Sequence, residues 1–391
     1  DQQVEGAVAA GLTPVVLIAD GPSWAQRCDA PPYAYTRVCD PVPTALAAFA
    51  TAAARRYGGG YKGLPRVRYW QGMNEPNLDV FFSPQFRHGK PVSPDIYRKL
   101  INVFYDAIKA VDPSNLVMAA GLGPIAVPHL TLGPMRFARQ LLCMKGRRDP
   151  RPTRGSCEGG VRFDIFDVHP YTTGGPMHEG GIDDVELGDL DKLMQLIDAA
   201  DRAGRIKGKF KRTPVWITEF SWDSKPPDPG GLPMRILTRW TSIAMYQAWK
   251  AGITHFFWYS LRDFPAVDGK YDETVQSGLY LRGETIEQDR PKKVLEAFRF
   301  PFVAFAEGNG LVFWGRTPTS DSGRVAIEVK GHSGWRAIGS GRATGSGVFH
   351  GTIAGNFERK RRGFVRARFK SQGSLPFSLR EVKDFPQPPF G

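Results

Sequence analysis

Over residues 1 to about 300, short and almost unbroken apolar runs alternate with stretches of helical period, which narrows the folds open to the chain. The runs lie at 13–19, 67–71, 116–121, 163–169, 215–219 and 254–259. A strand that is apolar at consecutive positions must be covered on both faces. That is the condition of a parallel sheet wrapped in helices, not of an antiparallel sheet with one wet face. The helical signals between them are local. One stretch near 44–57 ends at Gly58, placed as a C-terminal cap. Another opens at Ser93-Pro94, an N-cap followed by proline at the first helical position, and puts Ile96, Leu100, Val103, Phe104 and Ile108 on one stripe. Leu190, Leu193, Met194 and Ile197 mark a third helix, and 233–251 a fourth. Repeated βα units over this length leave an α/β barrel or a doubly wound sheet.

From about Phe302 the texture changes. Apolar runs at 311–315, 325–329, 335–338, 348–353, 364–369 and 377–382 are separated by Gly, Ser, Thr and Asn clusters, with no helical period between them. This pattern predicts a small antiparallel β-sandwich. The chain therefore reads as an α/β domain over 1–300 and an accessory sandwich over 301–391, whose default role is packing.

Composition bounds the partners. The balance of 52 basic against 39 acidic residues gives a net charge of +13, which favours acidic polymers. The run Arg359-Lys360-Arg361-Arg362, with Arg366, Arg368 and Lys370 on one strand face, is where such a polymer would bind if that face is not simply solvated. Charge alone does not make the chain a nucleic-acid binder, and no stretch has the roughly 18–20 apolar residues of a membrane span. Four cysteines fall as two local pairs, Cys28 with Cys39 and Cys143 with Cys157, which suggests two loop-stapling disulfides and an oxidising, extracellular setting. No Cys-x-x-Cys or His-x-x-x-His spacing points to zinc. Two glycine-rich stretches carry no chemistry. Gly339 to Gly345 opens no helix, and Gly331-His332-Ser333-Gly334 lacks the last glycine of a nucleophile elbow.

Two glutamates do carry chemistry. Glu75 follows the run Tyr69-Trp70-Gln71-Gly72-Met73-Asn74, and Glu219 closes Pro214-Val215-Trp216-Ile217-Thr218. Both sit at the same end of different parallel strands. A facing pair of carboxylates is what glycosidic bond cleavage requires.

Asn74-Glu75-Pro76-Asn77-Leu78 after one strand, with Thr218-Glu219-Phe220 ending a later one, resembles clan A of the retaining glycoside hydrolases. The longer run is similar to family 39 and to neighbours such as family 5. The resemblance implies a (β/α)₈ barrel in which Glu75 ends the fourth strand and Glu219 the seventh. The run at 13–19 is then the third strand, and the first two βα units are expected before Asp1. It further implies Glu75 as acid/base, Glu219 as nucleophile and Asn74 on the sugar 2-hydroxyl. His169 or Tyr171 would stand beside the nucleophile, and Trp258 would be an aromatic platform. Trp24 and Trp222, which also follow strand ends, are further candidates for sugar subsites, and Asp20, Asp223 and Asp263 for sugar-hydroxyl acceptors. The implied substrate is an oligo- or polysaccharide of xylosidic, arabinosidic or glucuronic type, cleaved without metal or organic cofactor. The competing expectation is a glycan-binding protein that kept the barrel and lost turnover.

Overall fold

The computed structural model of the protein describes residues 1–127, 130–153, 159–357, 363–380 and 383–390. Cys157 and the run 359–362 lie outside the described residues. The chain divides into two compact units. The first takes 1–171, 179–219 and 251–257, and the second 172–178, 220–250 and 258–391. These units do not coincide with the change of strand texture near residue 300.

The first unit is built on one six-stranded sheet. Its strands are β1 (Val15–Ile18), β2 (Tyr69–Gly72), β3 (Leu116–Leu122), β4 (Ile165–Val168), β5 (Val215–Ile217) and β6 (His255–Phe256). Their order in the sheet is their order in the chain, and every pairing is parallel. A doubly wound sheet must reverse its strand order at a switch point. This sheet has no such point, so its winding is that of a barrel. The hydrogen-bonded ladder has two ends, at β1 and β6, and among the described residues it holds six strands, not the eight of a closed (β/α)₈ ring.

Burial follows from position. All residues of β3, β4 and β5 are buried, whereas the end strands β1 and β6 are partly exposed. Leu116, Met118, Ile165 and Trp216 form one cluster with Val15 and Tyr69, so five consecutive strands share a single inner face. The other face carries helices. In α1 (Ser93–Val111) the stripe Tyr97, Leu100, Ile101, Phe104 and Ile108 is buried. Ser93 is not the N-cap. The helix begins on it with Val92 as cap residue, and its hydroxyl donates to Gln85 Oε1 at 2.8 Å. A Cβ on Gly72 would lie 3.1 Å from both Ile101 and Phe104, so the end of β2 is glycine because α1 packs directly on it. Cys28 and Cys39 form a disulfide.

The second unit contains helices α2 (Met234–Ala251, less its last residue) and α3 (Lys293–Arg299), together with two larger antiparallel sheets. One sheet joins β7 (Phe302–Glu307), β8 (Gly310–Arg316) and β11 (Val348–Ala354). The other joins β9 (Gly323–Gly331), β10 (Gly334–Ala343) and β12 (Phe364–Phe369) with two short strands. Val303, Leu311, Phe313 and Phe349 of the first meet Val325, Ile327, Val365, Ala367 and Phe369 of the second in one core. On the outer face of β12, Arg366 and Arg368 do not form an open basic strip. Their Nε atoms lie 2.8 and 2.6 Å from the two oxygens of Glu328, and Lys370 pairs with Asp321 at 2.8 Å. Side chains that alternate across a strand bring both arginines to the same side, and the register sets Glu328 directly opposite Arg366.

Candidate active site

Beyond β2 the backbone turns sharply. Met73 and Glu75 adopt φ of 68° and 40°, and Glu75 N–H donates to Gly121 O at 3.1 Å. Left-handed backbone at two such residues is costly and must be held by the surroundings. Asn77, fully buried, holds this loop to the loop after β3. Its amide nitrogen donates to Gly123 O and Leu132 O, both at 3.1 Å, and its amide oxygen accepts from Gly123 N–H at 2.9 Å. Below it the Tyr97 hydroxyl joins the two strand ends, donating to Gly72 O at 2.9 Å and accepting from Ala120 N–H at 2.8 Å. At Gly121, with φ of 51°, an added Cβ would stand 2.7 Å from Gln71 and 3.2 Å from Asp167. Only glycine fits there.

This frame presents Glu75 to His169 at the end of β4. His169 is wholly buried, and its Nδ1 lies 2.9 Å from Glu75 Oε1 and 3.7 Å from Glu219 Oε2. One oxygen from each glutamate and one nitrogen of His169 all lie within 4.8 Å of one another. Tyr171 donates its hydroxyl to Glu219 Oε2 at 3.2 Å. His169 therefore bonds to Glu75, and Tyr171 is the residue on the second glutamate.

Proton positions follow from the donors. The Thr218 hydroxyl donates to Asp167 Oδ2 at 3.1 Å, so His169 Nε2, 3.0 Å from the same hydroxyl oxygen, is a donor. Nδ1 also faces a carboxylate. This setting favours the doubly protonated ring, an imidazolium. Burial alone would push the His169 pKa down, but Glu219, Glu75 and Asp167 surround it and raise it to about 9. Asp167 is raised to about 7 by complete burial, against the pull of His169, Gly121 N–H and the Thr218 hydroxyl. Glu219 is also raised, by burial first and by the charge of Glu75, although 26% of its side chain remains accessible. His169 and the Tyr171 hydroxyl oppose that rise.

Asn74 is half-buried, and its amide oxygen is buried with no hydrogen-bond partner. Glu75, His169 and Glu219 are also, among the described residues, the one group of His, Cys, Asp and Glu close enough to share a cation. Both His169 nitrogens are already engaged, so a cation there would have to displace a proton and break the bond to Glu75.

The other aromatic and acidic candidates fall elsewhere. Trp24 is 75% exposed and lines a pocket of about 320 Å³ with Asp20, Gln26, Phe49 and Met73. Trp222 is fully buried in the second unit against Phe220 and Trp240, with its N–H donating to Gly174 O, so its ring has no free face for a sugar. Trp258 is half-buried and donates to Ser277 O at 2.7 Å. Asp223 and Asp263 are buried, and Asp263 is held by Lys292 Nζ at 2.5 Å, so neither is a free hydroxyl acceptor. Residues missed in the sequence are Asp167, Thr218, Asn77 and Tyr97. Asp167 had a signal, since a carboxylate inside an otherwise apolar strand demands a partner.

A barrel-wound parallel sheet carries two close carboxylates beyond its second and fifth strands. The fold is that of family 39. A family 39 glycoside hydrolase from the gut symbiont Bacteroides cellulosilyticus WH2 matches with a TM-score of 0.54 at 15% identity, over 90% of this chain and 70% of that one. A family 39 enzyme from Xanthomonas axonopodis pv. citri matches at 0.51 and 14%, over 90% and 79%. A monomeric β-xylosidase from Caulobacter crescentus CB15 matches at 0.50 and 16%, over 91% and 82%. No family model and no curated protein matches the sequence. At these identities the likeness is one of fold.

Proposed function

We propose that the chain is a retaining glycoside hydrolase in which Glu219 is the nucleophile and Glu75 the acid/base. The observation that carries this reading is the closeness of the two carboxylates, whose facing oxygens lie within 4.8 Å. Retaining pairs stand about 5–5.5 Å apart, and inverting pairs about 6.5–9.5 Å, to admit a water.

In the first step Glu219 attacks the anomeric carbon and Glu75 protonates the departing oxygen. In the second, Glu75 takes a proton from water, which opens the ester on Glu219. Glu219 must be ionised to attack. The His169 cation and the Tyr171 hydroxyl favour that form against burial and the charge of Glu75. Glu75 needs a proton to give, and His169 Nδ1–H points at its Oε1 across 2.9 Å. Transfer along that bond leaves a neutral imidazole and a protonated Glu75, so His169 acts as the proton reservoir of the acid. The unpartnered Asn74 amide oxygen accepts the sugar 2-hydroxyl, a contact that strengthens toward the transition state. Trp24 is the exposed ring nearest in sequence to β1. The Cys28–Cys39 disulfide supports an extracellular setting, and no helix among the described residues is long and apolar enough to cross a membrane.

The test is peptide mass spectrometry after exposure to mechanism-based inactivators in gluco, galacto, xylo, arabinofuranosyl and glucurono forms. A covalent adduct on Glu219 supports the mechanism and names the sugar. Folded protein that takes no adduct, yet binds glycan, would leave the binding-protein reading standing.

A further inference from the structure

The second unit holds a cleft of about 980 Å³ whose lining includes Arg235, Arg239, Lys293 and Arg380 and, among the described residues, no acidic one. Most arginines of this chain that lie near a carboxylate are paired with it, as Arg262 is with Asp289, Arg212 with Asp198, and Arg366 and Arg368 with Glu328. None of the four cations in the cleft has an acidic partner among the described residues. Arg235, Lys293 and Arg380 are exposed. Arg239 is deeper. Its guanidinium lies over the Phe377 ring at 4.1 Å and donates once, to Ser378 O at 2.7 Å, while its Nε is buried without a partner. Burial and the nearby Arg235 push its pKa down to about 10, a sign of positive charge crowded where no anion answers it. Phe364, 42% exposed, adds an open aromatic face.

We propose that this cleft binds an acidic oligosaccharide, with carboxylate or sulfate groups on the Arg235, Arg239, Lys293 and Arg380 cluster and a sugar face on Phe364. A planar guanidinium donates paired N–H bonds to such groups in bidentate fashion. A concave site of this volume suits a few sugar residues better than a nucleic-acid duplex, which is held along an extended basic surface. The choice of a glycan among anions rests on the glycosidase reading, but the cleft uses none of the residues assigned to catalysis.

The experiment is isothermal titration of the full chain with hexagalacturonate, a chondroitin sulfate hexasaccharide, cellohexaose and a short DNA duplex, at low and high salt. At least one acidic hexasaccharide binds, more weakly as salt rises, and cellohexaose does not. Arg235→Glu with Arg380→Glu, and separately Lys293→Glu, weakens that binding about tenfold or more, because each change replaces an attraction by a repulsion. These residues are exposed, so melting temperature and aryl-glycoside turnover stay as in the parent. The proposal is overturned if neither acidic glycan binds, if binding survives charge reversal, or if the duplex is the ligand that the reversals abolish. Acidic-glycan binding that is lost on reversal in a protein without turnover would instead sink the glycosidase reading and leave the cleft assigned.

Discussion

Glu219 and Glu75 both face the buried His169, and the separate roles proposed for them depend on how His169 and Tyr171 divide between them. His169 hydrogen-bonds to Glu75 and Tyr171 to Glu219, so removing either partner should affect one carboxylate more than the other. Tyr171→Phe takes from Glu219 a hydrogen bond that stabilises its ionised form, adding to a pKa already raised by burial. The acidic limb of the kcat/KM profile should move to higher pH, and turnover should fall about 10-fold to 100-fold, the worth of one bond to a charged group. A pH–rate profile on protein with unchanged melting checks this; a drop with no shift of the limb would point to lost packing instead. Glu219→Ala should abolish turnover of every substrate. Glu75→Ala should spare aryl glycosides with good leaving groups more than natural glycosides, because those need less protonation. Equal loss on both substrate types would remove Glu75 from the acid/base role.

Among the elements, the strands of the first unit were the legible part. Every apolar run from 13–19 to 254–259 overlaps a strand, because a strand buried on both faces is apolar at consecutive positions whatever its neighbours are. The residues beyond Gly72 and Ile217 leave the ladder to carry Glu75 and Glu219. What stayed hidden depends on pairing across the chain. Asp167 and Thr218 are 51 positions apart, and only the register of β4 with β5 brings them together. Trp222 looked like a subsite ring because it follows a strand end, and packing against Phe220 and Trp240 closes it off. The basic face of β12 looked open for the same reason, until Glu328 arrived from β9. Glu328→Ala should therefore destabilise the protein by about 1–3 kcal/mol, since two arginines lose their shared carboxylate. Urea unfolding measures it, and an unchanged midpoint would mean that both arginines are equally well served by water.

For the whole molecule, the buried site sets how stability depends on pH. His169 is raised from 6.5 to about 9 and Asp167 from 3.8 to about 7, and Glu219 also moves up. Each group binds its proton more tightly folded than unfolded, and stability falls with rising pH wherever the folded chain holds more protons. The Asp167 contribution declines from about pH 3.8 to about 7. That of His169 is complete below about 6.5 and is lost as pH climbs through about 9. Asp289, Asp321 and Glu328 act in the opposite sense, because their lowered pKa values give stability that is present above the ordinary carboxylate range and lost in acid. Asp321 sits in a solvent-screened pair that contributes little, and carboxylates of lowered pKa are already ionised well below neutral pH, so the buried groups dominate from neutral pH upward. The midpoint of urea unfolding should accordingly fall between pH 6.5 and 9, where a protein governed by surface carboxylates would be flat. His169→Asn removes the titrating cation and should abolish most of that fall while lowering stability at pH 6. A parent protein with a constant midpoint across this range would mean that His169 is neutral when folded, and that it cannot be the source of the proton on Glu75.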